Sequence, residues 1–338
     1  MKDAFLNGKG FSACGAELPD RRIIMRNNKR IAVVAAAIVL FAAVLVYAPP
    51  LFVMLQMTGH VDFKDEPDGK NPLTGVYAAK DFDLSSNDMT LLTSDGVEIF
   101  VSEVEAESPR GAVIFLSGVE LPSVTHFYPQ AGWLKENGYS SFLVETRGHG
   151  KSGGSVSLGY MEPLDVSAVT DYIRSRDEYA DAPITLIGFS MGGAAALAAF
   201  GGNAVVESVR AMSAYASFED MTYYNMKKYG APEFWARAGR WSTLQWLYVF
   251  YGGAALSRSA KESIKNADGR RVLLAASARD GTVNAENSKA LYIASGKTAE
   301  LWVRDSSSHF IVEGGDPKDF YADREYRERV LGFLDGED

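Results

Sequence analysis

Cysteine is almost absent. The 338 residues hold one, Cys14, so the chain can build neither an internal disulfide framework nor a thiolate-rich metal site. Histidine is scarce as well. His60, His126, His149 and His309 are scattered, without the spacing a zinc site needs. A basic excess is missing too. The net charge of −9 removes the electrostatic footprint of a nucleic-acid-binding protein. With 23% charged and 47% hydrophobic residues the composition is not that of a disordered chain, and the length allows one large core with a small appendage. No cofactor and no metal is implied.

What is present begins with a long apolar run. Residues 1–30 form a polar tail, in which Cys14 is an ordinary residue. Ile31–Ala48 carries no charge, Pro49-Pro50 interrupts it, and Leu51–Met57 continues it. Residues 31–57 together exceed the roughly 20 needed to cross a bilayer. Arg21, Arg22, Arg26, Lys29 and Arg30 precede the run, while Lys64 and Lys70 follow it. That asymmetry puts the N-terminus in the cytoplasm and the rest of the chain on the other side of the membrane. A cleaved signal peptide is disfavoured by the long leader and by Pro49 directly after Val46-Tyr47-Ala48. Residues 58–88, with Pro67, Gly69, Pro72 and Gly75, form a linker and docking segment.

From residue 89 to 338 the pattern is that of a folded domain. Thr90–Thr93 and Val97–Glu103 flank Ser94-Asp95-Gly96, a hairpin signal. Strand runs then follow at Ala112–Leu116, Tyr139–Val144, Ile184–Ile187, Val209–Ser213, Val272–Ala276 and Glu300–Val303. Helical patterns lie between them, at Pro129–Asn137, Pro163–Arg176, Met191–Phe200 and Glu286–Ala294, and a last one closes the chain at Tyr321–Leu334. Such alternation predicts an α/β fold, a mostly parallel sheet with helices on both faces. Residues 216–260 break the alternation. Eleven aromatics fall within 216–257, well above the 12% of the whole chain, which predicts a helical cap insertion. Most of these rings form the cap's own core, and some line an apolar pocket or face the membrane.

Two segments match G-x-S-x-G, Gly188–Gly192 and Gly150–Gly154. The tight turn such a serine needs requires a strand leading in and a helix leading out. Ser190 has both, in Ile184–Ile187 and the Ala-rich run after it. Ser152 has neither and is a loop residue. Ser190 is therefore the candidate nucleophile, and Met191 N–H, at a helix start, is aimed at a developing oxyanion. The base belongs after a later strand, where His309 follows Glu300–Val303. The orienting acid belongs after the preceding strand, where Asp280 follows Val272–Ala276. Asp305, on the loop of His309 itself, is the lesser candidate.

The stretch Met89–Leu334 resembles the α/β-hydrolase superfamily and is similar to its membrane-anchored bacterial members. Gly188–Gly192, Asp280 and His309 match nucleophile, acid and base in that order. Glu145–Ser152 resembles the family's D-x-R-G-H-G-x-S loop, with Glu145 in place of Asp. The resemblance implies a second oxyanion donor just past the first strand of the parallel sheet, at the backbone N–H of Val119. It also usually has His-Gly there, where this chain has Ser117-Gly118. The expected activity is hydrolysis of a carboxylic ester, of a small molecule or lipid, or of a thioester. A peptidase, an acyltransferase and a catalytically silent membrane-tethered binding protein are the alternatives.

Overall fold

The computed structural model of the chain describes residues 21–63, 78–119, 124–314 and 317–337. The chain divides into two compact units, Met1–Val46 and Tyr47–Asp338. The first helix, α1 (Arg21–Met57), begins inside the stretch expected to be tail and runs through both prolines. Each proline removes one backbone donor and its ring crowds the carbonyl four residues back, yet its fixed φ is already helical and α1 continues past both. Within it, Asn28–Met57 is long and apolar enough to cross a membrane, a test that a signal sequence also passes. Cys14 and residues 64–77 of the linker lie outside the described residues. The described part of the linker docks onto the second unit, where Val61 N–H donates to the Gly148 carbonyl at 2.8 Å and its carbonyl accepts from Gly150 N–H at 2.9 Å.

The second unit is built on eight strands: β1 (Asn87–Leu92), β2 (Glu98–Val104), β3 (Gly111–Leu116), β4 (Tyr139–Val144), β5 (Ile184–Phe189), β6 (Val206–Met212), β7 (Arg271–Ser277) and β8 (Glu300–Arg304). Their order in the sheet is β1-β2-β4-β3-β5-β6-β7-β8, antiparallel at β1–β2–β4 and parallel from β4 onward. The helices are α2 (Tyr128–Glu136), α3 (Pro163–Arg174), α4 (Met191–Gly202), α5 (Phe218–Lys228), α6 (Glu233–Leu256), α7 (Ala260–Ser263), α8 (Glu286–Ala294) and α9 (Arg324–Asp335). Helices α5, α6 and α7 fill the aromatic-rich stretch between β6 and β7.

Strands β3, β4 and β5 are buried along every residue, because helices cover both faces. Strand alternation sorts their side chains into two cores. Ile114, Leu116 and Leu186 pack with Val166 of α3 and Leu197 of α4. Val113, Phe115 and Ile187 pack on the other side with Leu134 of α2 and Phe333 of α9. In this second core Phe127 stacks between Phe115, at 5.2 Å, and Phe189, at 5.1 Å. Truncating a ring so buried costs about 3–5 kcal/mol.

The β1–β2 hairpin is closed by Gly96, whose φ of +82° suits a residue without a Cβ. Its turn is tied to the body by Arg147, which donates to Asp95 at 2.7 Å and to the buried Asp165 of α3 at 2.7 Å. The Arg147 hydrogen bond holds the Asp95 carboxyl down at about 2. A carboxyl whose folded value is depressed adds stability above its unfolded value near 4, and loses it as pH falls through the folded value. Asp95→Asn is therefore expected to melt below the unaltered chain at pH 7. The gap in melting temperature should close between about pH 4 and pH 2.

Candidate active site

The carboxyl ends of β5, β6, β7 and β8 form one edge of the sheet, and the sequence-predicted site residues gather along it. β5 runs into Ser190, and α4 starts at the next residue. Ser190 sits at φ +53° and ψ −118°, a backbone region that a residue with a Cβ rarely adopts. Holding it there costs about 1–3 kcal/mol, offset by the packing around the turn. That packing depends on missing side chains. A Cβ on Gly188 would lie 2.3 Å from the Gly192 carbonyl oxygen, and one on Gly192 would lie 2.3 Å from the Leu116 oxygen and 2.4 Å from that of Ser117. The turn is thus pressed against the end of β3, whose continuation is Ser117-Gly118-Val119. The residues after it, 120–123, lie outside the described set.

Ser190 is 8% exposed, and its N–H donates to the Met212 carbonyl at 2.8 Å, which fixes it beside the end of β6. The N-terminus of α4 opens at Met191, with N–H groups that have no partner within the helix and the positive end of the helix dipole.

Asp280 lies on the loop after β7. It is buried, and its Oδ1 accepts from the N–H groups of Thr282 at 2.7 Å and Val283 at 3.1 Å. Oδ2 is 2.7 Å from Nδ1 of His309. Burial acts to raise the Asp280 carboxyl, but the His309 contact and the two N–H bonds outweigh it and hold the group below its usual range. The acid is therefore a carboxylate that can only accept, so Nδ1 of His309 is the donor, and in the neutral ring Nε2 is the acceptor. Asp305 is placed elsewhere: it pairs with Arg279 at the surface and its side chain is 84% exposed.

His309 is held by its backbone as well. Ser213 Oγ donates to the His309 carbonyl at 2.6 Å, and Ser277 Oγ donates to the Ser308 carbonyl at 2.6 Å. Its neighbour Phe310 meets Phe189, the residue before Ser190, with ring centroids 6.2 Å apart. Asp280 and His309 are brought into direct contact. Ser190 shares their sheet edge, and among the described residues no hydrogen bond joins its hydroxyl to His309.

Sequence reasoning did not single out Ser213, Ser277 or Lys228. Ser213, at φ +47°, ends β6 next to the elbow. Lys228 Nζ, at the end of α5, donates to the Asp280 carbonyl at 2.9 Å. A serine or lysine bonded to a backbone carbonyl leaves no motif, so nothing in the sequence announces these roles. The second G-x-S-x-G serine is structural: Ser152 accepts from Phe100 N–H at 2.8 Å and donates to the Glu145 carbonyl. His149 is buried in the same loop, with Phe63 stacked on it at 6.2 Å. Among the described residues no group of three or more His, Cys, Asp or Glu converges as a metal site would.

A family profile described as serine aminopeptidase, S33, matches residues 107–213, just under a third of the chain. The fold is that of solved α/β-hydrolases. An esterase of Pyrococcus furiosus, Pf2001, is 25% identical over 77% of this chain and 96% of its own, with a TM-score of 0.59. An α/β-hydrolase of Penicillium, GrgF, is 16% identical over 75% of this chain and 99% of its own, with a TM-score of 0.56. An acylaminoacyl peptidase of Pyrococcus horikoshii is 14% identical over 74% of this chain but only 42% of its own, with a TM-score of 0.52. No curated protein matches this chain.

The glycine clearances can be tested directly. Gly192→Ala puts a methyl group into two backbone carbonyls that have no freedom to rotate away. The expected cost is about 3 kcal/mol, at the upper end for overpacking, read as a lower denaturation midpoint. Gly202→Ala, whose Cβ would meet nothing within 4 Å, is the matched control and should leave the midpoint in place.

Proposed function

We propose that this chain, an α/β-hydrolase by fold, is a membrane-tethered serine hydrolase that cleaves carboxylic esters, small or lipid-like, by acyl transfer to Ser190. One observation carries the reading. A serine with φ +53° lies at the mouth of a helix, on the sheet edge where a carboxylate 2.7 Å from Nδ1 of an imidazole orients that ring.

In the proposed reaction Nε2 of His309 takes the proton from Ser190 Oγ as that oxygen attacks the ester carbonyl. Asp280 keeps Nδ1 protonated and stabilises the imidazolium that forms. The tetrahedral oxyanion is met by the N–H groups of Met191 and Val119. His309 then returns its proton to the departing alkoxide, leaving an acyl-serine. Water, deprotonated by the same nitrogen, attacks the acyl carbon, and the carboxylic acid leaves as Ser190 regains its proton. Ser117 in place of the family's histidine is compatible with this scheme, because the donor at Val119 is a backbone group. The contact between Gly192 and the Ser117 carbonyl supports the loop whatever side chain Ser117 carries.

In this reading α1 spans the membrane and residues 1–30 lie in the cytoplasm, with the hydrolase domain on the other side. The supporting feature is the basic cluster Arg21–Arg30 before the span, against two lysines soon after it.

A peptidase is the second reading, favoured by the matched family's description as a serine aminopeptidase and by the acylaminoacyl peptidase among the structural neighbours. A series of nitrophenyl esters from acetate upward, set beside aminoacyl nitroanilides, separates the two. Ester turnover with little amide cleavage is expected, and the reverse preference would select the peptidase. Ser190→Ala should abolish labelling by a fluorophosphonate and cut turnover by about 10⁴-fold or more, with the melting temperature kept. Labelling that persists at another serine would remove Ser190 from the mechanism.

A further inference from the structure

The aromatic-rich insertion does not bury all of its rings. Six of the eleven large apolar side chains exposed beyond residue 57 lie between 229 and 250, among the described residues. A cluster this dense is not random surface scatter. On α6, Phe234, Trp241 and Tyr248 are spaced by seven, so they stand on one face of the helix. They are 63%, 52% and 61% exposed, and Val249 beside them is 70% exposed. The last turns of α1 add Phe52 and Leu55, also exposed, while Met54 between them is fully buried in the domain.

Two features identify what covers this surface. The first is its composition: Trp and Tyr with an apolar body and a polar tip are the side chains favoured at a lipid–water boundary. The second is its position along the chain. The Tyr47 ring lies 5.5 Å from Trp241 and 6.2 Å from Trp246, edge-on to both. Trp246 Nε1–H donates to the Tyr47 carbonyl at 2.9 Å. Helix α6 therefore grips α1 at Tyr47, late in the apolar run Ile31–Ala48, and past that point Met54 is buried in the domain. If the part of α1 before Tyr47 is what crosses a bilayer, Tyr47 is near where the chain leaves it, and a helix in contact with Tyr47 has no room to stand far from the lipid headgroups.

The geometry points to the outer face of α6, with Phe52 and Leu55, resting in the lipid interface of the membrane that holds the anchor. This rests on the membrane-tethered reading above and sharpens its substrate to an ester dissolved in the bilayer. The inner neighbour of α6 is α5, packed so closely that a Cβ on Gly239 would lie 2.4 Å from Met226 Sδ. At its end Lys228 holds the Asp280 loop. One helix thus separates the proposed lipid contact from the acid of the site.

The test uses the full chain in lipid nanodiscs, with Cys14→Ser as background so that one introduced cysteine carries a nitroxide. Labels are placed at Trp241→Cys and Tyr248→Cys, and at Ile293→Cys on α8 as a surface control, itself 65% exposed. Oxygen, which concentrates in lipid, is expected to relax the labels at 241 and 248 more than a water-soluble nickel chelate does, with the opposite order at 293. Labels at 241 and 248 that behave as the one at 293 would overturn the docking while leaving the anchor in place. Release of the whole chain from membranes by alkaline carbonate would instead overturn the anchor, and the docking with it. In activity, Trp241→Asp with Tyr248→Asp should lower turnover of a long-chain ester held in vesicles by at least about tenfold. Hydrolysis of soluble nitrophenyl acetate should be unaltered. Full turnover of the vesicle ester would also refute the docking.

Discussion

The strained turn at Ser190 constrains everything around it. A backbone at φ +53° with a side chain attached survives only if its surroundings leave it no alternative. Here the surroundings are other backbones. The Gly192 Cα lies against the carbonyls of Leu116 and Ser117, and Gly188 lies against the carbonyl of Gly192. Strand β3, the turn and the first turn of α4 are therefore one rigid junction. It requires β3 and β5 to be adjacent and parallel, which they are, with Leu116 opposite Gly188.

The same edge organises the other two groups by a different means. Asp280 and His309 sit on loops, where side chains have freedom to move, and the freedom is removed by hydrogen bonds to main chain. Two N–H groups hold the Asp280 carboxylate, while the hydroxyls of Ser213 and Ser277 hold the carbonyls of His309 and Ser308. Because Ser213 follows Met212, whose carbonyl takes the Ser190 N–H, the turn at Ser190 and the loop of His309 meet at one point after β6. The insertion between β6 and β7 joins this arrangement through Lys228. Its outer helix is joined in turn to α1 through Tyr47.

Much of this was legible in the chain because it is local. Strand-then-helix flanks separated Ser190 from Ser152, and the structure gives Ser152 a bracing role between β2 and the Glu145 loop. Chain order after the later strands selected His309, and Asp280 over Asp305, which the structure sends to the surface with Arg279. Elsewhere the local signal misled. The two prolines looked like an interruption of the apolar run and are carried inside a single helix. The basic stretch before it looked like tail and is helical from Arg21.

The sequence by itself determined the period of each element, the alternation that makes a parallel sheet, and the small residues that a tight elbow demands. These are consequences of neighbours a few positions apart. Only the tertiary structure decided which carbonyls the serines and Lys228 would hold, and that Arg147 would join the hairpin to α3. It also decided which insertion aromatics are buried, as Phe218 is, and which stand outward, as Trp241 does. A side chain's partner across a sheet edge is set by register and crossover, and no spacing along the chain encodes that distance.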